Sequence, residues 1–273
     1  MNNKSAANNY IYASAYIFWL LMFVIAPLVL LLVQSLTDMN NHFTLNNFIE
    51  YFQSPTYLQM TVNSIFYAAL VTTVTFLISY PTAYILSRLK SSQFWLLLVI
   101  LPTWINLLLK TYAFIGLLSH GGTVNSFLEG IGIPRQQLLF SDWSFLMVAS
   151  YIEIPFMILP IFNSLSEIDN NLLAASRDLG ASNWRTLRKV IFPLSMPGIK
   201  AGVQAVFIPS LSLFMITRLI AGNRVITLGT AIEEHFLVTQ NWHLGATIGV
   251  ILIIAMMVIM FLTRDREVGG ANR

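Results

Sequence analysis

The sequence predicts an all-α membrane protein with six transmembrane helices and both termini on the cytoplasmic side. Three observations carry that expectation. Only 10% of the 273 residues are charged while 56% are apolar, whereas soluble domains are about 25% charged. Six apolar runs reach the roughly 20 residues needed to cross about 30 Å of hydrocarbon. The basic residues gather on alternate linkers, as the positive-inside bias requires.

The runs fall at about 16–36, 62–87, 94–117, 143–164, 199–220 and 245–263. The first is expected to be retained, because the small residues Ala13 and Ala15 precede its apolar stretch. A secretory signal carries its small residues after a shorter apolar core. With the N-terminus inside, the cytoplasmic segments hold Lys4, Arg88, Lys90, Arg177, Arg185, Arg188, Lys189, Lys200, Arg264, Arg266 and Arg273. The outer segments and the span ends facing them hold only Lys110, Arg135, Arg218 and Arg224. Eleven against four sets the orientation. It also accounts for the net charge of +3 without a nucleic-acid partner.

Among the outer segments, 37–61 carries Asp38 and Glu50 with no Lys or Arg. Segment 119–143 has glycine clusters around a short helix at 124–128. In 227–240, Ile232, Phe236 and Leu237 alternate with Glu233, Glu234 and His235, which predicts an amphipathic helix at the outer surface. No cysteine is present, which excludes disulfide scaffolds and thiolate metal sites. His42, His120, His235 and His243 lie in outer loops without ligand-type spacing, so no metal site is expected. No linker is long enough to build a core of its own, so residues 1–273 read as one transmembrane domain with a structured loop at 166–198.

That loop, LLAASRDLGASNWRTLRKVIFPLSMPG at 172–198, brings Arg177, Asp178, Arg185, Arg188 and Lys189 together in an otherwise greasy chain. Asp169 can cap a helix by accepting bonds from its free N–H groups. Leu172, Ala175, Ser176 and Leu179 then share one face. Gly180 supplies the left-handed turn that ends the helix, and Ser182 can cap a second. In the second helix Trp184, Leu187 and Ile191 form an apolar stripe beside a basic one, and Pro193 and Pro197 are expected to end it before the fifth span. A basic amphipathic loop can rest on anionic lipid headgroups. A helix–glycine–helix unit re-aimed by prolines also suits a rigid knob that enters a groove of a soluble partner.

The loop resembles the E-A-A-x-x-x-G loop of ABC-importer permeases, which closes nine residues later on I-x-L-P. With Gly180 as the motif glycine, Ala174, Ala175 and Ser176 stand at E-A-A, Val190 and Phe192 at the isoleucine and leucine, and Pro193 at the proline. Ala174 replaces the glutamate, whose polar contact Asp178 or Glu167 could supply. The resemblance implies a type I importer permease fold. It also implies that Ala174, Ala175, Ser176, Asp178, Gly180, Trp184, Arg185 and Pro193 dock into a cytoplasmic ABC ATPase dimer. The stretches FTLNNFIEYFQSPTYLQMTVNSI, LPTWINLLLKTYAFIGLL, PFMILPIFNSL and AGNRVITLGTAIEEHFLVTQNWHLGA are similar to polyamine permeases. Spermidine or putrescine is then the implied cargo. The implied partners are a second, related permease subunit and an extracytoplasmic polyamine-binding protein, besides membrane lipid.

Glu153 is the only acid well inside a span. It lies about 15 Å from Trp143 along a helix rising 1.5 Å per residue. An ionised carboxylate there costs roughly 2.5–3.5 kcal/mol unless it faces a cavity or a partner. Pro155 and Pro160 free the carbonyls of Tyr151 and Phe156 beside it, a setting that suits an ammonium group. Protonation, or pairing with a neighbouring subunit, is the structural alternative. Trp104, Tyr112 and Tyr151 offer aromatic faces to a cation, and Asn106 offers a carbonyl, although aromatics near span ends also serve as interfacial anchors. Lys110 is expected to snorkel to the outer surface.

The chain has no G-x-x-x-x-G-K-[ST], so ATP and Mg²⁺ would be bound by the partner ATPase and no cofactor by this chain. An intramembrane enzyme would need a second group near Glu153, and Asp142 is about 17 Å away along the axis. A proton-coupled transporter could use Glu153 as its proton site. Molybdate, sulfate and ferric iron remain alternative cargoes, although the outer segments carry two more acids than bases.

Overall fold

Among the described residues every regular element is helical, apart from one antiparallel bridge between Thr37 and Phe43. The computed structural model describes residue 14, residues 16–222 and residues 224–263. Lys4, Ala13, Ala15, Arg264, Arg266, Arg273 and both termini lie outside them. In chain order the helices are α1 (Tyr16–Ser35), α2 (Asn46–Gln53), α3 (Pro55–Arg88), α4 (Ser92–Trp104), α5 (Leu107–Leu118), α6 (Thr123–Gly130) and α7 (Asp142–Ser166). They continue as α8 (Asn170–Asp178), α9 (Asn183–Leu194), α10 (Met196–Ser210), α11 (Phe214–Leu219), α12 (228–238) and α13 (Trp242–Thr263).

The helices α1, α3, α7 and α13 are each long and apolar enough to cross a membrane unaided. Two bent pairs raise the number to as many as six. The third and fifth apolar runs therefore differ from the uninterrupted helices the sequence suggested. In the third, Ser92–Trp104 and Leu107–Gly130 meet at 90°. Pro102 tightens the end of α4 into a 3-10 turn, Ile105 is extended, and the Asn106 side chain accepts a bond from the Leu108 amide at 2.8 Å to start α5. In the fifth, α10 has 15 residues, about 22 Å of rise, and ends just after Pro209. Leu213 turns the chain at φ −71° and ψ 51° before α11.

Pro193 does not end the second loop helix as expected. The preceding turn, Leu187–Ile191, is a π-turn in which the Phe192 amide reaches back to the Leu187 carbonyl. Pro193 continues the helix beyond that widened turn. The break falls at Ser195, where α9 and α10 meet at 65°. Pro197 sits in the first turn of α10, where no backbone N–H is required.

Two compact units share the described chain. The first combines residues up to Gln59 with Ala231–Ile254. Here His243 Nδ1 lies 3.1 Å from the Gln34 carbonyl, and Thr247 Oγ1 donates to the Ser35 carbonyl at 3.3 Å, tying the end of α1 to the start of α13. Tyr51, 1% exposed, stacks on Tyr57, whose hydroxyl lies 2.9 Å from His235 Nε2. Burial lowers the His235 pKa below the usual imidazole value.

The second unit combines Met60–Thr230 with the residues from Ala255 onward and is organised around α7. A capping box between Ser141 and Ser144 starts α7. Phe145, Val148, Ala149, Met157 and Ile161 are fully buried along it. The glycines Gly198 and Gly202 let α10 approach closely. A Cβ on Gly198 would lie 2.5 Å from the Pro160 carbonyl oxygen, and one on Gly202 would lie 2.7 Å from Met157 Sδ. This Gly-x-x-x-Gly spacing brings two helix backbones together through small residues.

Candidate functional site

Two places carry the polar chemistry of the second unit. One is the α8–α9 knob. Asp169 caps α8 by accepting from the Asn171 amide at 2.9 Å, and Ser182 caps α9 by accepting from the Arg185 amide at 3.4 Å. Gly180 takes φ +76°, which glycine adopts without the penalty a Cβ would bring. Ser176 Oγ and Thr186 Oγ1, 2.9 Å apart, clasp the two helices together. The residue that departs from the second motif alanine thus holds the knob closed. Thr186 was not legible as its partner, because the contact forms only once Gly180 has folded the chain back.

The knob exposes apolar residues among its charged ones. Leu172 is 49% exposed, Leu179 88% and Trp184 70%, and Ala174 and Ala175 are exposed beside them. The inward anchors are Leu173 at 8% and Ile191 at 2%. The shared face expected of Leu172, Ala175, Ser176 and Leu179 is therefore the outward one, with Ser176 at its edge. Asp178, Arg185 and Pro193 are exposed as well.

The knob is joined to the membrane helices through Ser195. The Ser195 hydroxyl donates to the Phe192 carbonyl at 3.0 Å and lies 3.2 Å from the Tyr80 hydroxyl of α3. The Tyr80 ring also packs on Phe192 at 5.5 Å between centroids. The 65° bend is thereby braced against α3, a role that neither Tyr80 nor Ser195 announces in the sequence.

The other place is Glu153, 4% exposed in the middle of α7. The ammonium of Lys110 is the charge that acts on it. Lys110 is half-buried on α5. Ser150, one turn before Glu153 on the same face, is 2% exposed, and its hydroxyl has no hydrogen-bond partner among the described residues. The hydroxyls of Thr75 on α3 and Ser210 on α10 are in the same condition. Ser79, one turn beyond Thr75, donates to the Ile154 carbonyl at 3.4 Å, which fixes α3 against this stretch of α7. Gly198 meets Pro160 and Gly202 meets Met157. Continuing that antiparallel register brings Ser210 to the level of Ser150.

Buried hydroxyls without partners are rare, and here three accompany an acid on the helices α3, α7 and α10. Single serines and threonines in apolar runs usually bond their own helix, so no local pattern marked these.

The remaining candidates lie elsewhere. Trp104 is 76% exposed at the α4 bend and Tyr112 58% on α5. Tyr151 is 43% exposed and edge-on to Phe114 at 5.0 Å. Two residues from Glu153, it faces away from it on α7. The Asn106 carbonyl oxygen is engaged as the cap of α5.

Comparison with known proteins gives consistent matches. The family described as "binding-protein-dependent transport system inner membrane component" matches residues 1–265. The spermidine/putrescine transport system permease protein PotB of Haemophilus influenzae is 34% identical over 254 residues, covering 89% of this chain and 88% of that protein. PotB of Escherichia coli K12 is 32% identical over 254 residues, covering 89% and 92%. Among solved structures, a bacterial ABC transporter involved in the import of the acidic polysaccharide alginate superposes with a TM-score of 0.82 at 19% identity, over 95% of this chain and 94% of that one. The alginate transporter in complex with an alginate pentasaccharide-bound periplasmic protein gives 0.81 over 95% and 93%.

Proposed function

The chain belongs to the binding-protein-dependent transport system inner membrane components, and from that premise we propose that it is one membrane-spanning half of an ATP-driven importer of spermidine or putrescine. The observation that carries the cargo is the relationship to PotB permeases at 31–34% identity over most of the chain. Glu153, the one buried acid among the described residues, supports it, because a carboxylate in an apolar setting favours a cation over molybdate or sulfate. Transport, and not catalysis, is the work of this chain, and a separate ATPase hydrolyses ATP.

The exposed apolar residues of the knob support docking of that ATPase at Ala174, Ala175, Ser176, Asp178, Gly180, Trp184, Arg185 and Pro193. In this reading the ATPase dimer binds ATP and Mg²⁺, and its closure pushes the knob. The push passes through Ser195 into α10, and through Tyr80 into α3. Both helices carry the buried hydroxyls around Glu153, so a rigid-body shift of the knob would change access to the acid. A polyamine ammonium would replace Lys110 as the charge facing Glu153. The exposed Trp104, Tyr112 and Tyr151 would line a pathway shared with the second, related permease subunit. The outer segments would receive a polyamine-binding protein, and both termini would lie in the cytoplasm of a bacterium, the chain spanning its inner membrane.

The test is uptake of labelled spermidine by cells lacking the gene, with and without its restoration. Saturable uptake that returns with the gene, survives a protonophore and stops on ATP depletion is the expected result. Uptake that a protonophore abolishes while ATP is maintained would favour proton coupling. No return of uptake in cells without another polyamine importer would reject the polyamine cargo.

A further inference from the structure

Beside the knob lies a cavity of about 480 Å³ whose walls are positive. Arg88 enters from the end of α3, Asn170, Ala174 and Arg177 from α8, and Asn183 and Thr186 from α9. No carboxylate lines it. Arg88 is fixed: its Nη1 donates to Asn170 Oδ1 at 3.2 Å, and its guanidinium lies 5.6 Å from the centre of the Tyr84 ring. Neither neighbour neutralises it. Arg177 makes no ion pair among the described residues. The nearby acid Asp169 is occupied by the backbone amide of Asn171 at 2.9 Å and its side-chain amide at 3.3 Å.

Two guanidiniums in a hollow that Tyr84, Leu173 and Ile191 also line form a receptor for a carboxylate, since each can give two parallel charge-assisted bonds. The methyl group of Ala174 leaves that hollow open. We propose that the cavity receives an acidic side chain of the cytoplasmic ATPase, so that the permease supplies the positive partner of the docking contact. This rests on the coupling reading of the knob. A protein occupant is favoured over a lipid headgroup by the apolar Leu172, Leu179 and Trp184 exposed on the same two helices, which a protein groove would cover. Because Arg88 belongs to α3 and Arg177 to α8, one carboxylate held by both would lock a transmembrane helix to the knob.

The test uses the intact transporter in membranes. A carbodiimide joins carboxylates to amines but not to guanidiniums, so R177K and R88K each place a reactive amine at the cavity. The expected result is a covalent link from each variant to an Asp or Glu of the ATPase, found by mass spectrometry and absent from the wild type. Retention of the ATPase by R177K and R88K without any such link would overturn the proposal. So would links confined to phosphatidylserine, which would assign the cavity to lipid. In parallel, R177E should retain at least about tenfold less ATPase on purification, and undiminished retention would count equally against the proposal. Failure of the wild-type chain to retain the ATPase would remove the coupling reading itself, a distinguishable outcome.

Discussion

A carboxylate costs roughly 2.5–3.5 kcal/mol at the centre of a membrane helix, and Glu153 is held there at 4% exposure. Ser150, on the same face of α7, is buried with it and has no hydrogen-bond partner among the described residues. If the acid serves a travelling cation, Glu153→Gln keeps the shape and removes the charge. Charge-assisted bonds contribute about 1.5–3 kcal/mol, so polyamine uptake at low concentration should fall about tenfold or more while the assembled transporter is recovered in normal yield. Equal uptake by E153Q across a substrate titration would assign Glu153 a structural role. At this scale the sequence announced the acid, because a lone charge in an apolar run stands out. It did not announce Ser150, Thr75 or Ser210, because a hydroxyl in a helix carries no sign of whether its own backbone satisfies it.

Helices were legible wherever local chemistry decides. The caps at Asp169 and Ser182, the left-handed turn at Gly180 and the short helix within 119–143 follow from residue types alone. Helix continuity was less legible. The third and fifth apolar runs have the composition of spans but break at Ile105 and Leu211–Leu213, where capping and tertiary packing override hydropathy. Pro193 misled for a related reason: a π-turn shifts the hydrogen-bond register and lets the helix pass through it.

The contact between α7 and α10 makes a prediction at this scale. A Cβ on Gly198 meets the backbone oxygen of Pro160, whereas on Gly202 the nearest atom is the side-chain Sδ of Met157, which a change of rotamer can shift. Overpacking of this kind costs about 1–3 kcal/mol. In detergent, G198A should therefore lower the thermal midpoint clearly and G202A less so. The reverse order would contradict the packing described.

Taken whole, the molecule is a membrane scaffold with a polar knob at one point of its sequence. Composition alone fixed its class, and the charge asymmetry of the linkers gave an orientation. The fold agrees with solved ABC transporter permeases at a TM-score of 0.82 despite 19% identity. At that identity the agreement is one of fold, not of particular core residues. Trp104 and Tyr112 are surface residues of this chain; under the proposed function they would face the second permease subunit, which a single sequence does not display.

Spermidine accumulation in proteoliposomes that contain this chain, its partner permease, the ATPase and the binding protein would show whether the chain moves polyamines with energy delivered by ATP through the knob. Accumulation is expected only when ATP is on the ATPase side, with hydrolysis stimulated by spermidine-loaded binding protein and both lost in Trp184→Asp. Accumulation driven by a proton gradient without ATP, or undiminished coupling in W184D, would contradict that expectation.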